Sequence, residues 1–164
     1  MSVSELIRTK HAVRQFTDEP LPEEAIRSIL NAGRRAQSSK NTQPWHFIAI
    51  RDRETLRQLS QCGMYAGHLA GAPFAIALIA STAEGFDLGQ AAASMQLAAW
   101  DLGIGSCIAS MWEPEQAKAI LGVPQDLHFD VAISFGYPLP SREQSHAPKP
   151  GGRKPFDEVV SRKR

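Results

Sequence analysis

Ser38-Ser39-Lys40-Asn41-Thr42-Gln43-Pro44-Trp45 sets short polar groups and a Pro-Trp corner just ahead of the apolar run Phe47-Ile48-Ala49-Ile50. A helical pattern precedes it. Pro22, with Glu23 and Glu24 beside it, has the form of a first helical turn, and Ala25, Ile26, Ile29, Leu30 and Ala32 keep helical spacing up to Gly33. Helix, polar corner and buried strand in this order predict a domain that mixes helices with a sheet, with a corner able to hold a flat ligand. Two basic clusters, Arg8-Thr9-Lys10-His11-Ala12-Val13-Arg14 and Lys149-Pro150-Gly151-Gly152-Arg153-Lys154, supply the positive charge that a phosphate on such a ligand needs. Together these features point to a phosphorylated planar cofactor.

Working outward from the corner, Ser2 followed by Glu5 has the form of a capping box, so a first helix through about Arg8 delivers the first basic cluster. Phe47 to Ile50 reads as a buried strand. Asp52 caps a helix from about Arg53 to Cys62, continuing weakly past Gly63 towards Gly71 until Pro73 ends it. Phe74 to Ala80 is a second core strand, and Asp87 to Leu102 a helix whose apolar residues cover nearly every face. In a domain this small, that helix needs a sheet on one side and a second subunit on the other, which predicts a homodimer. Gly105 to Ser110 is a third strand, Pro114 to Leu121 a short helix, and Phe129 to Phe135 a fourth strand. Residues 138 to 155 hold five prolines and two adjacent glycines, so this stretch is expected as an arm over the surface or across to a partner.

The 164 residues fit one domain, 1–164, and 43% hydrophobic with 21% charged residues is the composition of a soluble globular chain. Lys plus Arg number 18 against 17 for Asp plus Glu, and a net charge of +1 gives no electrostatic case for nucleic acid or membrane. The longest apolar run, around Ala75 to Ala80, is too short to span a bilayer, and no signal-peptide stretch opens the chain. A reducing cytoplasm is the expected location. Cys62 and Cys107, 45 positions apart, fit neither a metal knuckle nor a redox pair.

Gly103-Ile104-Gly105 follows a helix and precedes a strand, the reverse of a nucleotide-binding glycine loop, and no P-loop or His-Glu-x-x-His sequence occurs. The histidines at 11, 46, 68, 128 and 146 lack ligand spacing, so no metal site is expected. Ser38 and Ser39 lack the glycines of a nucleophile elbow. With hydrolysis unsupported, what remains is a protein whose reactive group is borrowed from a cofactor.

Four ordered motifs resemble the nitroreductase family of FMN-dependent oxidoreductases in its short, single-domain form. Lys10-His11-Ala12-Val13-Arg14-Gln15-Phe16 resembles that family's Arg-Arg-Ser-x-Arg-x-Phe, and Gln37-Ser38-Ser39-Lys40-Asn41-Thr42-Gln43-Pro44-Trp45 its Pro-Ser-x-x-Asn-x-Gln-Pro-Trp. Leu102-Gly103-Ile104-Gly105-Ser106-Cys107 is similar to Leu-Gly-Leu-Gly-Ser-Cys, and Arg153-Lys154-Pro155-Phe156-Asp157-Glu158-Val159-Val160 to the closing Arg-Lys-Pro-Leu-Glu-Glu-Val-Val. The resemblance implies an α+β fold, an α/β/α sandwich whose mixed, largely antiparallel sheet is flanked by helices, with a C-terminal arm exchanged across a dimer. It implies FMN at the subunit interface. Lys10, His11, Ala12, Arg14 and Arg153 would hold the phosphate and ribityl chain, and Arg35, Ser38, Ser39 and Asn41 would come from the partner subunit. Ile108, Ala109 and Ser110 would meet the flavin rings, largely through backbone groups.

The implied activity is hydride transfer from NADH or NADPH through flavin N5 to a small aromatic acceptor, a nitro compound or a quinone, by a ping-pong route. No side chain is needed as a catalytic acid. Alternatives on the same scaffold are enone reduction, dehalogenation, flavin fragmentation, or a flavin-binding redox sensor without turnover. This chain departs from the motifs where Lys10 and His11 replace two arginines, Ala12 replaces a serine, and Gln37 replaces a proline. A bidentate fork thereby becomes a point charge, which weakens the expected grip on FMN. Trp45 is expected in the core beside Pro44. Trp112 and Phe86, each in a loop after a core segment, are candidates to wall the substrate side.

Overall fold

All seven residues of the strand Phe74–Ala80 are buried, and their alternating side chains feed two separate cores. Ala75, Ala77 and Ile79 face one, while Phe74, Ile76, Leu78 and Ala80 face the other, so this strand must lie mid-sheet with helices on both sides. The computed structural model describes residues 1–83, 85–140 and 152–163. Its strands are β1 (Trp45–Ile50), β2 (Phe74–Ala80), β3 (Gly105–Ser110) and β4 (His128–Gly136), ordered β1-β2-β4-β3 with every neighbour antiparallel. The helices are α1 (Val3–Thr9), α2 (Glu23–Arg34), α3 (Arg53–Leu59), α4 (Gly85–Asp101), α5 (Pro114–Leu121) and α6 (Phe156–Val159).

The first core sets Ala75, Ala77, Phe129 and Ala132 of the sheet against Leu56 and Leu59 of α3, Ala117 of α5 and the 3-10 turn Ala66–Leu69. The second sets Phe74, Ile76, Ile133 and Phe135 against Ile26 and Ile29 of α2 and Ala92, Met95 and Ala99 of α4. Phe74, Phe129 and Phe135 are fully buried, each worth about 1.5–3 kcal/mol relative to exposure. The result is the three-layer α/β/α sandwich expected from the motifs.

Helix ends follow local chemistry. Ser2 and Glu5 form the capping box at α1, and the Ser2 backbone and hydroxyl hold the Glu5 carboxyl below its ordinary pKa. Asp52 caps α3 by accepting from the Thr55 N–H, Pro114 sits in the first turn of α5, and Gly122 ends α5 at φ 64°.

The sequence-based helix over 53–62 with a continuation to Gly71 is corrected: α3 stops at Leu59, and a short 3-10 turn, Ala66–Leu69, follows. Gly63 lies against the Ser110 carbonyl, where a Cβ would clash, and that approach turns the chain out of the helix. β1 starts two residues before Phe47, and the arm carries the short helix α6, which the periodicity did not show. α4 is not enclosed within the protomer. It buries Leu88, Ala91, Ala92, Met95, Gln96 and Ala99, whereas Phe86, Gly89 and Ala93 are exposed. Among the described residues no helix is long and apolar enough to cross a membrane.

Candidate functional site

β3 is an edge strand whose outer side is only partly covered. The Val13 N–H donates to the Ser106 carbonyl (2.9 Å), so the backbone polar groups of Ser106 point off the sheet, and those of Ile108 and Ser110, two and four residues on, do the same. The Met111 N–H, in the opposite phase, donates back to Asp130 on the β4 side (2.9 Å). Beyond the strand, the Trp112 N–H donates to the Cys62 carbonyl (2.7 Å). Between these two tethers, no backbone segment among the described residues pairs with the outer edge at Ile108 and Ser110. Ile108 is also 46% exposed, an apolar residue at the edge of the sheet. Ala109 is different: it is buried at 1%, and its backbone faces Ala132 of β4.

The basic loop lies along this edge. α1 ends at Thr9, and Gly105 provides room for Val13, since a Cβ there would sit 2.7 Å from the Val13 Cβ. Lys10 is half-buried, and His11, Ala12 and Arg14 are exposed. Neither Lys10 nor Arg14 is ion-paired with a carboxylate among the described residues. Both charges are felt at the neighbouring Cys107, where burial pushes the thiol pKa up and Arg14 and Lys10 oppose it.

The polar corner is held elsewhere. The Ser39 N–H donates to the Asp87 carboxylate at the start of α4 (3.0 Å), and the Gln43 N–H donates to Ser38 Oγ (2.9 Å). These bonds support three non-glycine residues in the left-handed region, Lys40 (φ 49°), Asn41 (φ 56°) and Gln43 (φ 50°), a conformation costing about 1 kcal/mol or more apiece. Ser39 and Asn41 are exposed, Ser38 is half-buried, and Arg35 is exposed one residue past α2.

This corner leads into Trp45, which pairs with Ala80, and so lies at the β1 edge on the end where β3 finishes. The basic loop crosses β3 near its start. The two motifs therefore occupy diagonal corners of the sheet, separated across the strands by three spacings of about 4.8 Å. Arg153 is exposed, as is every described residue of the arm from 152 to 163, while Lys149 to Gly151 lie outside the described residues.

Sequence reasoning missed His68. It is 8% exposed in the 3-10 turn beside β3, with Nδ1 2.7 Å from Ser134 Oγ on β4, and Nε2 is buried without a hydrogen-bond partner. Burial, with the Arg14 guanidinium adding to it, pushes its pKa down to about 4, and the Ile108 backbone opposes the shift. Its only sequence signal is a titratable residue among small and apolar ones just before a buried strand. Trp45 is half-buried against the second core and stacks on Phe47 (6.2 Å), as expected. Trp112 and Phe86 are 60% and 79% exposed.

The Nitroreductase family pattern matches residues 7–64 and 60–137, and so spans both the basic loop and the polar corner. The chain belongs to the nitroreductase family. A relative from Archaeoglobus fulgidus, provisionally named an NADH dehydrogenase/NAD(P)H nitroreductase, is 31% identical over 150 residues, covering 84% of this chain and 86% of its own. An FMN-dependent nitroreductase from Clostridium difficile superposes with a TM-score of 0.78 at 29% identity, covering 88% of this chain and 91% of its own. The NADPH:FMN oxidoreductase of Vibrio harveyi, solved with NAD+, superposes at 0.83 over 98% of this chain and 76% of its own, but at 21% identity that likeness concerns the fold alone.

The nitroreductase donor set fits a phosphorylated flavin on this chain's own geometry. Two cations without carboxylate partners among the described residues suit a phosphate monoester, which is nearly dianionic near neutral pH. The edge at Ile108 and Ser110, which no other described backbone segment pairs, suits the alternating donors and acceptors of a flat heterocycle.

Proposed function

We propose that this chain is an FMN-dependent oxidoreductase that draws electrons from NADH or NADPH and delivers them to a small aromatic acceptor, a nitro compound or a quinone, in a ping-pong cycle. The observation that carries the reading is the outer edge of β3, which no described strand covers, with Lys10 and Arg14 beside it. FMN, when bound, supplies the two-electron redox chemistry. The chain supplies binding and orientation. Lys10 and Arg14 neutralise the phosphate, the exposed residues His11 and Ala12 line the approach to it, and the edge at Ile108 and Ser110 aligns the ring system. No side chain acts as a catalytic acid in this reading.

The site is completed by a second copy of the chain. Arg35, Ser38, Ser39 and Asn41 stand diagonally across the sheet from Lys10 and Arg14, so one protomer does not gather both motifs, whereas a two-fold dimer brings one copy's corner to the other's loop. Two further features support this. α4 leaves Phe86, Gly89 and Ala93 uncovered, and the arm exposes Phe156 (62%), Val159 (62%) and Val160 (38%), apolar groups that need another surface. A groove along the free edge of β1, lined by Arg27, Asn31, Arg34, Trp45 and Phe47, is open to receive such an arm. Exchange of the arm would also bring Arg153 towards the phosphate.

Steady-state kinetics with NADPH and a quinone test the cycle: parallel double-reciprocal lines are expected, and intersecting lines refute it. Bleaching of the bound flavin by NADPH under argon tests for turnover. A protein that stays yellow is the redox sensor instead.

A further inference from the structure

The basic loop contains few of its own supports. Ala12 brings no hydroxyl, and Lys10 and His11 replace groups with more hydrogen-bonding capacity, yet the loop is tied down at one end by an indole. Trp100, in the last turns of α4, donates from Nε1 to Thr9 Oγ1 (3.0 Å), and Thr9 Oγ1 in turn donates to the Glu5 carbonyl (2.7 Å). The His11 ring stands edge-on to the Trp100 ring (4.8 Å between centroids, 71° between planes), with its Nδ1 3.1 Å from the Thr9 carbonyl. Trp100 also packs against the small cluster of Val13, Phe16 and Ala72. One side chain on α4 thus touches the loop before, within and after Lys10-His11-Ala12, and the opposite end is tied by the Val13 N–H to Ser106.

We propose that Trp100 is a positioning residue of the phosphate-binding loop, acting through Thr9 and His11 to hold Lys10 where the flavin phosphate is received. The inference rests on the functional reading above, in which Lys10 and Arg14 hold that phosphate. Without the indole N–H the loop keeps the Lys10 N–H on the Leu6 carbonyl and the Val13 N–H on Ser106 but loses the bond that ties Thr9 to α4, and the residues between regain freedom that binding must then remove. The loss concerns the phosphate and spares the ring system, which is aligned by β3.

This makes FMN and riboflavin, which differ by the phosphate alone, the discriminating pair. Trp100→Phe keeps a ring against Val13 and Phe16 but has no N–H, and Thr9→Val keeps the branched shape but has no hydroxyl. Holoprotein reconstituted with either flavin is diluted serially, and dissociation is followed by recovery of flavin fluorescence. Both variants are expected to lose about tenfold in FMN affinity, the equivalent of one hydrogen-bond-sized contribution, while riboflavin affinity stays within about twofold. Thr9→Ser restores the hydroxyl and is expected to bind FMN like the wild type. Equal weakening of both flavins, or weakening of neither, overturns the positioning role, and should Trp100→Phe not fold, Thr9→Val with its serine rescue decides. A wild-type protein that does not prefer FMN to riboflavin overturns the phosphate reading itself, and the inference with it.

Discussion

His68 makes acid stability a sharp prediction. Its imidazole is buried, bonded at Nδ1 to Ser134, and held neutral down to about pH 4, against an ordinary value of 6.5. Between those values the unfolded chain binds a proton that the folded chain refuses, so stability rises with pH across the window, is fully present above about 6.5, and is lost as pH falls towards 4. The interval corresponds to about 3 kcal/mol. With a urea dependence of about 2 kcal/mol per molar, the unfolding midpoint of the wild type drops by about 1.5 M from this group alone. Exposed carboxylates whose pKa values the fold lowers, Glu5, Asp52 and Glu54, lose their contributions in acid too, so the comparison must be differential. His68→Asn keeps a polar atom for Ser134 and removes the titration. Urea midpoints of both proteins, at one protein concentration and one FMN content, are measured from pH 7 to pH 4. The wild type is expected to converge on, or fall below, the variant as pH falls. A midpoint difference that is flat across this range refutes the account of His68.

Arg14→Ala removes an exposed cation with no carboxylate partner among the described residues, so the melting temperature should barely move while FMN affinity falls about 10- to 100-fold, read by flavin fluorescence and lessened in high salt. Gly105→Ala places a methyl 2.7 Å from the Val13 Cβ and Cγ2; a loss of about 1–3 kcal/mol in urea unfolding, with weaker FMN binding, is expected because loop and strand must part. Arg153→Ala should weaken FMN several-fold without affecting fold stability, since every described residue from 152 to 163 is exposed; unchanged affinity would remove Arg153 from the site.

The sequence was most legible where short apolar runs meet strong punctuation. β3 and α5 have the expected bounds because Gly105, Pro114 and Gly122 mark them. The stretch from Ser60 towards Gly71 was misread as helical because Gly63 is dictated by the carbonyl of Ser110, 47 residues away, which no local pattern contains. His68 was illegible for a similar reason: its partner Ser134 is 66 residues distant, and burial of the ring depends on the register of β3 and β4. Motif residues such as Lys10, Arg14, Ser38 and Asn41 were found in the chain directly. That they stand at opposite corners followed only once the strand order was known.

Sedimentation velocity of FMN-reconstituted, dialysed protein, recorded at both the protein and the flavin absorption bands, tests the whole account most directly. The account predicts one boundary carrying both signals at twice the 18.0 kDa protomer mass, with one flavin per chain. A colourless boundary, or a yellow one at the mass of a single protomer, contradicts it.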